Sequence, residues 1–271
     1  IFTQLNPITR LIYPEIDDNI LNYLEDDGDK VEPVYYVPII PMILVNGAKG
    51  IGTGFSTDIM CYNPQEIIKY LEAILLNKSK EELSCLKINP YYRGFKGKIY
   101  STDTTDKKYI IKGCYNIITG KDKIIVTELP IGTWTQDYKE FLETLINLKK
   151  DKDTKKDKDT KKDKDTKKDK EVYINDYKDM STESNVEFEI KFYPGILDKL
   201  VNEKHDYGVN GLEKYLKLYT TQTTTNMHLF NRQEQLRKYE NVYEIIDEYY
   251  SIRYEYYNKR RIYLIDKLEK Q

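Results

Sequence analysis

Residue types able to do covalent or acid–base chemistry are sparse in this chain. Two carboxylate pairs, Asp17-Asp18 and Asp26-Asp27, lie in turn-like sequence with nothing convergent nearby, so they read as solvated turns and not as an acid/base couple. His205 and His228 lack a spaced partner for a metal site or a nucleophile–base couple, and read as surface or packing residues. Cys61, Cys85 and Cys114 stand far apart, which suggests neither a zinc site nor a disulfide framework and points to a reducing compartment.

Recognition chemistry is better represented. Gly50, Gly52 and Gly54 form a GxGxG cluster, but the third glycine of a dinucleotide loop is missing, and so is a Gly-Lys followed by Ser or Thr, so a nucleotide-binding enzyme is not expected. What remains is Ile51 between two glycines, with Lys49 beside it. Such an isoleucine is either a core plug in a tight turn, the ordinary fate of its residue type, or a wedge presented outward on backbone that can approach another surface closely. An outward wedge has a known use: an apolar side chain inserted between base pairs from the minor groove unstacks a step and bends the duplex. Trp134, the sole tryptophan, is either core or a half-exposed ring whose indole N–H reaches a phosphate. The run from Lys217 through Thr220, Thr221, Thr223, Thr224, Thr225 and Asn226 suits phosphate contacts, or is an ordinary polar loop.

These residues need elements to hold them. Pro38 and Pro41 argue against a regular helix across Tyr35 to Phe55, and glycines 47, 50, 52 and 54 argue against a regular strand after it. The Asp26–Asp29 DDGD sequence is a turn signal. Asn63-Pro64 starts a helix carrying Ile67, Ile68, Leu71, Ile74 and Leu75 at helical spacing. Strands are expected at Lys98–Tyr100, Tyr109–Ile111, Ile124–Leu129 and Val186–Phe192, and a helix from about Asp137 to Leu148. One or two short helices come between Leu197 and Leu218, broken near Gly208–Gly211. From Leu236 to the end, apolar residues recur three, four or seven apart without Gly or Pro, which predicts one helix of about 36 residues, roughly 54 Å long, emerging as an arm or pairing with a partner helix. The mixture reads as α+β.

Charge is nearly balanced, 43 Lys plus Arg against 45 Asp plus Glu, which excludes a uniformly basic nucleic-acid coat. The balance hides a segment. Residues 149–170 repeat KKDKDT with 12 Lys against 7 Asp, leaving 31 basic against 38 acidic residues elsewhere, a net of −7. Such a polar repeat buries nothing and is expected to be a disordered insertion; interleaved Asp halves the field it would offer as a DNA tether. No apolar run reaches the roughly 18 to 20 residues of a membrane span, so no membrane partner is expected. The absence of an initial Met reads as a piece of a longer protein.

Six blocks in order resemble the breakage-and-reunion core of eukaryotic-type DNA topoisomerase II: IFTQLNPITRLIYPEIDD (Ile1–Asp18), YYVPIIPMILVNGAKGIGTGFS (Tyr35–Ser56), YYRGFKGKI (Tyr91–Ile99), VTELPIGTWTQDYKE (Val126–Glu140), KLYTTQTTTNMHLF (Lys217–Phe230) and YEIIDEYYSIRYEYYNKRR (Tyr243–Arg261). The GIGTG form resembles the eukaryotic or large-virus branch more than the bacterial gyrases. The resemblance implies the end of a winged-helix domain over 1–34, a mixed tower domain over 35–235 and the start of a coiled-coil arm over 236–271. It implies double-stranded DNA as partner, a nuclear homodimer, and ATP-dependent passage of one duplex through a double-strand break in another. The nucleophilic tyrosine and its preceding arginine would sit just before Ile1, and the ATP and Mg2+ sites elsewhere in the parent enzyme, so neither a catalytic residue nor a metal site is expected in this chain. It implies that Ile51 intercalates and bends the duplex, that Trp134 and the Lys217–Asn226 segment contact DNA, and that Gly50, Gly52, Gly54 and Lys49 support the wedge. Three departures stand out: Lys49 where many relatives are acidic, Gly132 where an arginine is common, and the KKDKDT insertion. The competing reading is an architectural DNA-bending module of an inactive or truncated paralogue.

Overall fold

The computed structural model describes residues 2–102, 105–155 and 172–271. Residues 156–170 of the KKDKDT segment lie outside them. In chain order the elements are α1 (Thr9–Ile12), a 3-10 turn (Glu15–Asn19), β1 (Tyr23–Asp26), β2 (Asp29–Pro33), α2 (Met42–Asn46), β3 (Ala48–Ile51), β4 (Ser56–Ile59), α3 (Pro64–Leu75) and α4 (Lys80–Ser84). Then come β5 (Lys98–Ser101), β6 (Lys108–Lys112), β7 (Cys114–Ile118), β8 (Lys123–Glu128), α5 (Thr135–Lys155), β9 (Ile174–Asp179) and β10 (Phe188–Phe192). Last are α6 (Ile196–Asn202), α7 (Gly211–Tyr215), β11 (Tyr219–Thr223), β12 (Met227–Phe230), β13 (Leu236–Tyr239) and α8 (Val242–Glu269). The fold is α+β. The chain divides into two compact units, Ile1–Tyr92 with Thr224–Gln271, and Arg93–Thr223.

The unit Arg93–Thr223 is built on an antiparallel sheet ordered β7-β8-β10-β9. Alternation in β8 and β10 sends Ile124, Val126, Phe188, Ile190 and Phe192 into the core, where Tyr138, Leu142 and Leu145 of α5 meet them. Each such fully buried side chain stabilises by roughly 1.5–3 kcal/mol. A second sheet, ordered β11-β6-β5, carries the threonine run on its β11 edge. The expected strands form, but β7 and β9 are additional: Cys-Tyr-Asn-Ile-Ile and Ile-Asn-Asp-Tyr-Lys-Asp alternate too weakly to stand out before a partner strand is supplied. Helix α5 runs to Lys155, beyond the expected end at Leu148.

In the other unit, α3 begins at Pro64 under an Asn63 cap whose side chain accepts from the Gln65 N–H. It packs on α8, with the Tyr70 and Tyr243 rings 5.1 Å apart, while the Tyr243 hydroxyl donates to Leu86 O at 2.9 Å. Asp27 and Gly28 take φ of +50° and +90° to turn β1 into β2, as the DDGD signal predicts.

Three expectations are corrected here. Leu236–Tyr239 is a strand, not the first turn of the long helix: it pairs antiparallel with β12, and the Asn241 side chain accepts from the Glu244 N–H, which starts α8 at Val242. The helix therefore has 28 residues, with Ile262, Ile265 and Leu268 exposed in its distal part. The glycine-rich stretch is a hairpin, β3 with β4, preceded by the five-residue helix α2 directly after Pro41. Glycine weakens a strand without forbidding it, and proline is compatible with the start of a helix. Asp17 is not a solvated turn residue. It is 4% exposed and accepts hydrogen bonds from Arg253 at 2.7 Å and from Arg260 at 2.5 and 2.6 Å, tying the 3-10 turn to α8.

Candidate nucleic-acid interface

Gly47, at φ +68°, sets where the hairpin leaves α2: a Cβ there would lie 2.7 Å from Ile59 O. From that close crossing β3 and β4 run out in register, Lys49 opposite Asp58 and Ile51 opposite Ser56. Gly52 N–H donates to Phe55 O at 2.8 Å across the tip, where Gly54 takes φ +80°. Burial is confined to the base at Ile59 and Met60, whereas residues 49–56 are exposed. Ile51 is 93% exposed. The plug reading is thereby corrected: the last β3 residue of a two-stranded hairpin lies beyond the packed base and has no core to enter. A side chain added at Gly50 or Gly54 would meet nothing within 4 Å, so packing inside this chain does not demand glycine at either position. Lys49 is exposed, and its ammonium lies 3.9 Å from the Asp58 carboxylate, which offsets part of its charge.

The hairpin is braced by the segment leading into β12. Asp58 N–H donates to Asn226 O at 2.8 Å, and the Asn226 side-chain amide donates to Ser56 Oγ at 2.9 Å. His228 N–H donates to Thr57 Oγ1 at 3.3 Å, and His228 Nδ1 lies 2.9 Å from Asn226 Oδ1. Asn226 is thus occupied by the hairpin. His228, read from sequence as a surface or packing residue, belongs to this brace; its partner Thr57 is 171 positions away, so no local pattern could announce that contact. Near the base, burial pushes the Cys61 thiol up, which keeps it protonated and a poor nucleophile at neutral pH. Burial, with Cys61 and Asp58 adding to it, likewise pushes Tyr92 to about 12.

In the unit Arg93–Thr223, Trp134 is 74% exposed and directly precedes α5, its carbonyl accepting from the Tyr138 N–H at 3.0 Å. The turn before it closes with Thr133 N–H on Pro130 O, and Gly132 sits there at φ +85°, where a side chain would be strained. Lys217 is exposed at φ +52°, with its ammonium 4.4 Å from the Phe141 ring centre on α5. On β11, Thr221 and Thr223 are exposed, and Thr220 is half-buried. Thr225 is exposed in the other unit. Thr224 departs from the expected run: at 8% exposure it sits inside the protein. His205 lies 3.1 Å from Glu203, and among the described residues no group of three or more His, Cys, Asp or Glu is placed to hold a metal. No helix of the described residues is long and apolar enough to cross a membrane.

The family model for the A subunit of DNA gyrase/topoisomerase IV matches residues 1–271. The chain is 41% identical over 271 residues to DNA topoisomerase 2 of Plasmodium falciparum, covering 100% of this chain and 17% of that protein. It is 36% identical over 273 residues to DNA topoisomerase 2 of Arabidopsis thaliana, covering 99% and 16%. To the Dictyostelium discoideum protein named DNA topoisomerase 2, mitochondrial, it is 38% identical over 273 residues, covering 100% and 18%. The chain thus spans under a fifth of the length of each of these relatives. Its structure is similar to the crystal structure of the Plasmodium falciparum topoisomerase II DNA-binding, cleavage and re-ligation domain, with a TM-score of 0.82 and 40% identity, covering 100% of this chain and 32% of that one.

Proposed function

The chain belongs to the family of the DNA gyrase/topoisomerase IV A subunit, and from that premise we propose that it is the part of a type II DNA topoisomerase that binds and bends the duplex to be cut. The observation carrying this reading is Ile51, an apolar side chain left 93% exposed at the tip of a glycine-rich hairpin. Inserted from the minor groove, it parts one base step at a cost of a few kcal/mol and kinks the duplex. Bare backbone at Gly50, Gly52 and Gly54 allows the close approach, and Lys49 supplies a cation at the groove edge. Trp134, Lys217, Thr220, Thr221, Thr223 and Thr225 hold phosphates without reading bases. Their contacts offset a bending cost of order 1–10 kcal/mol, so preference among sites follows deformability.

In the complete enzyme this bent duplex is cut on both strands by a tyrosine N-terminal to Ile1, a second duplex passes through, and the break is resealed, driven by ATP. Mg2+ and ATP belong to other parts of that enzyme; the described side chains here do not converge on a metal, and neither group is assigned a step in this chain. Residues 1–34 act as the end of a winged-helix domain, the tower runs from residue 35 through the paired strands β12 and β13, and α8 from Val242 starts a coiled-coil arm joining two copies. The nucleus is the proposed compartment.

The test is ATP-dependent decatenation of interlinked circles by the complete protein, alongside the bend of a labelled duplex measured by energy transfer. Ile51→Ala should straighten the bound duplex and depress decatenation while much of the electrostatic binding survives. An unchanged bend would sink the wedge. A folded protein that bends DNA but never decatenates would favour the architectural reading.

A further inference from the structure

The resemblance assigns Asn226 to DNA, but three of its polar atoms are already engaged within the protein. Its carbonyl takes the Asp58 N–H, its amide donates to Ser56 Oγ, and its side-chain oxygen lies at hydrogen-bond distance from His228 Nδ1. Ser56 is the register partner of Ile51, so the bond to Ser56 acts one residue pair from the tip. His228 closes the arrangement by donating its N–H to Thr57 and placing its ring 6.3 Å from that of Phe55. A two-stranded hairpin is marginal on its own. An exposed wedge on such a hairpin can transmit force to a base step only if its base is held.

We propose that Asn226 is a positioning residue that locks the Ile51 hairpin against β12 through Ser56 and His228, and that it does not bind DNA itself. The proposal rests on the reading of Ile51 as a wedge. With the latch in place, the hairpin presents Ile51 in one orientation. Without it, the tip swings, and insertion must first restrict that motion.

Two measurements on the complete protein separate this role from direct contact. In the DNA-free protein, amide hydrogen exchange at Asp58 and His228 should quicken about fivefold to tenfold in Asn226→Ala, one net hydrogen bond's worth, while the Phe188 and Ile190 amides stay unchanged. Asn226→Asp should restore slow exchange, because a carboxylate accepts from both Ser56 and His228. With a labelled duplex, Asn226→Ala should reduce the bend as Ile51→Ala does, the double variant being no straighter than Ile51→Ala alone, and Asn226→Asp should recover part of it. Thr57→Val should weaken the latch and Thr57→Ser should keep it. A DNA contact predicts the reverse order: exchange unmoved, and Asn226→Asp worse than Asn226→Ala because its charge repels phosphate. That result overturns the proposal, as does faster exchange with a full bend in a protein where Ile51→Ala straightens the duplex. If Ile51→Ala itself leaves the bend intact, the wedge reading falls, and exchange alone decides whether Asn226 anchors the hairpin.

Discussion

Asp17 accepts a hydrogen bond from Arg253 at 2.7 Å across 236 positions of chain, and both residues are buried. Arg253 also donates to Val37 O at 2.9 Å and stacks its guanidinium 4.1 Å from the Tyr257 ring centre, while Arg260 grips both oxygens of the same carboxylate. The middle of α8 is therefore held to the loops before the hairpin by a desolvated charge cluster, in which Arg253 Nε and Nη2 have no hydrogen-bond partner among the described residues. Such a cluster punishes removal of one member far more than loss of the whole set.

Asp17→Ala should loosen the α8 attachment by about 3 kcal/mol, leaving buried guanidinium charge uncompensated. Amide exchange at Arg253 and Tyr256 in the complete protein should speed up more than a hundredfold, while amides in β10 stay protected. Equal exchange in both proteins would mean that the carboxylate does not hold the helix.

Burial works to raise the Asp17 carboxyl, but hydrogen bonds from Arg260 and Arg253 outweigh it and hold the group below the usual carboxylate range. A carboxyl held below its unfolded value of about 3.9 stabilises the fold above that pH and loses the effect as pH falls through the folded value. The stability difference between wild type and Asp17→Asn should be flat from neutrality to about pH 4 and shrink below it. Asp247 has the opposite sign, since burial pushes its carboxyl up despite the Tyr70 hydrogen bond, but it is common to both proteins and cancels in the difference. A difference that stays constant down to pH 2 would contradict the paired carboxylate.

Glycines should separate into two kinds. A Cβ at Gly113 would lie 2.3 Å from Glu128 O, a backbone atom of β8 that cannot step aside, so Gly113→Ala should cost about 1–3 kcal/mol. Gly50→Ala meets open space and should leave thermal stability unchanged while weakening duplex bending. Differential scanning of both variants beside a bend measurement checks the contrast.

Lys217 and Trp134 should differ in how salt acts on their loss. Removing one phosphate-neutralising cation by Lys217→Gln should lower the slope of log affinity against log salt by about 0.9. Trp134→Phe removes a neutral donor and should weaken binding with the slope unmoved. Titrations at several salt concentrations with two unrelated duplexes decide it, and both losses should be the same on each duplex.

Much of the local structure is legible from the residues. Alternation in Val-Glu-Phe-Glu-Ile-Lys-Phe determines β10, because parity alone sorts a strand's two faces. Asn63-Pro64 determines where α3 begins, and Asp27-Gly28 determines a turn, because caps and left-handed positions act within a few residues. The block order from Ile1 to Arg261 likewise points to the family without any knowledge of contacts.

Pairing across long stretches of chain decides the rest. Leu236 and Tyr239 fit the helical spacing of the residues after them, yet β12 takes them as a strand partner and Asn241 caps the helix beyond. Asp17 looks like a turn carboxylate until two arginines more than 230 positions later enclose it. The exposure of Ile51 and the engagement of Asn226 with Ser56 also come from how the hairpin meets β12. Sequence sets which local conformations are cheap; burial and charge neutralisation depend on which distant segments arrive, and only the tertiary structure brings them together.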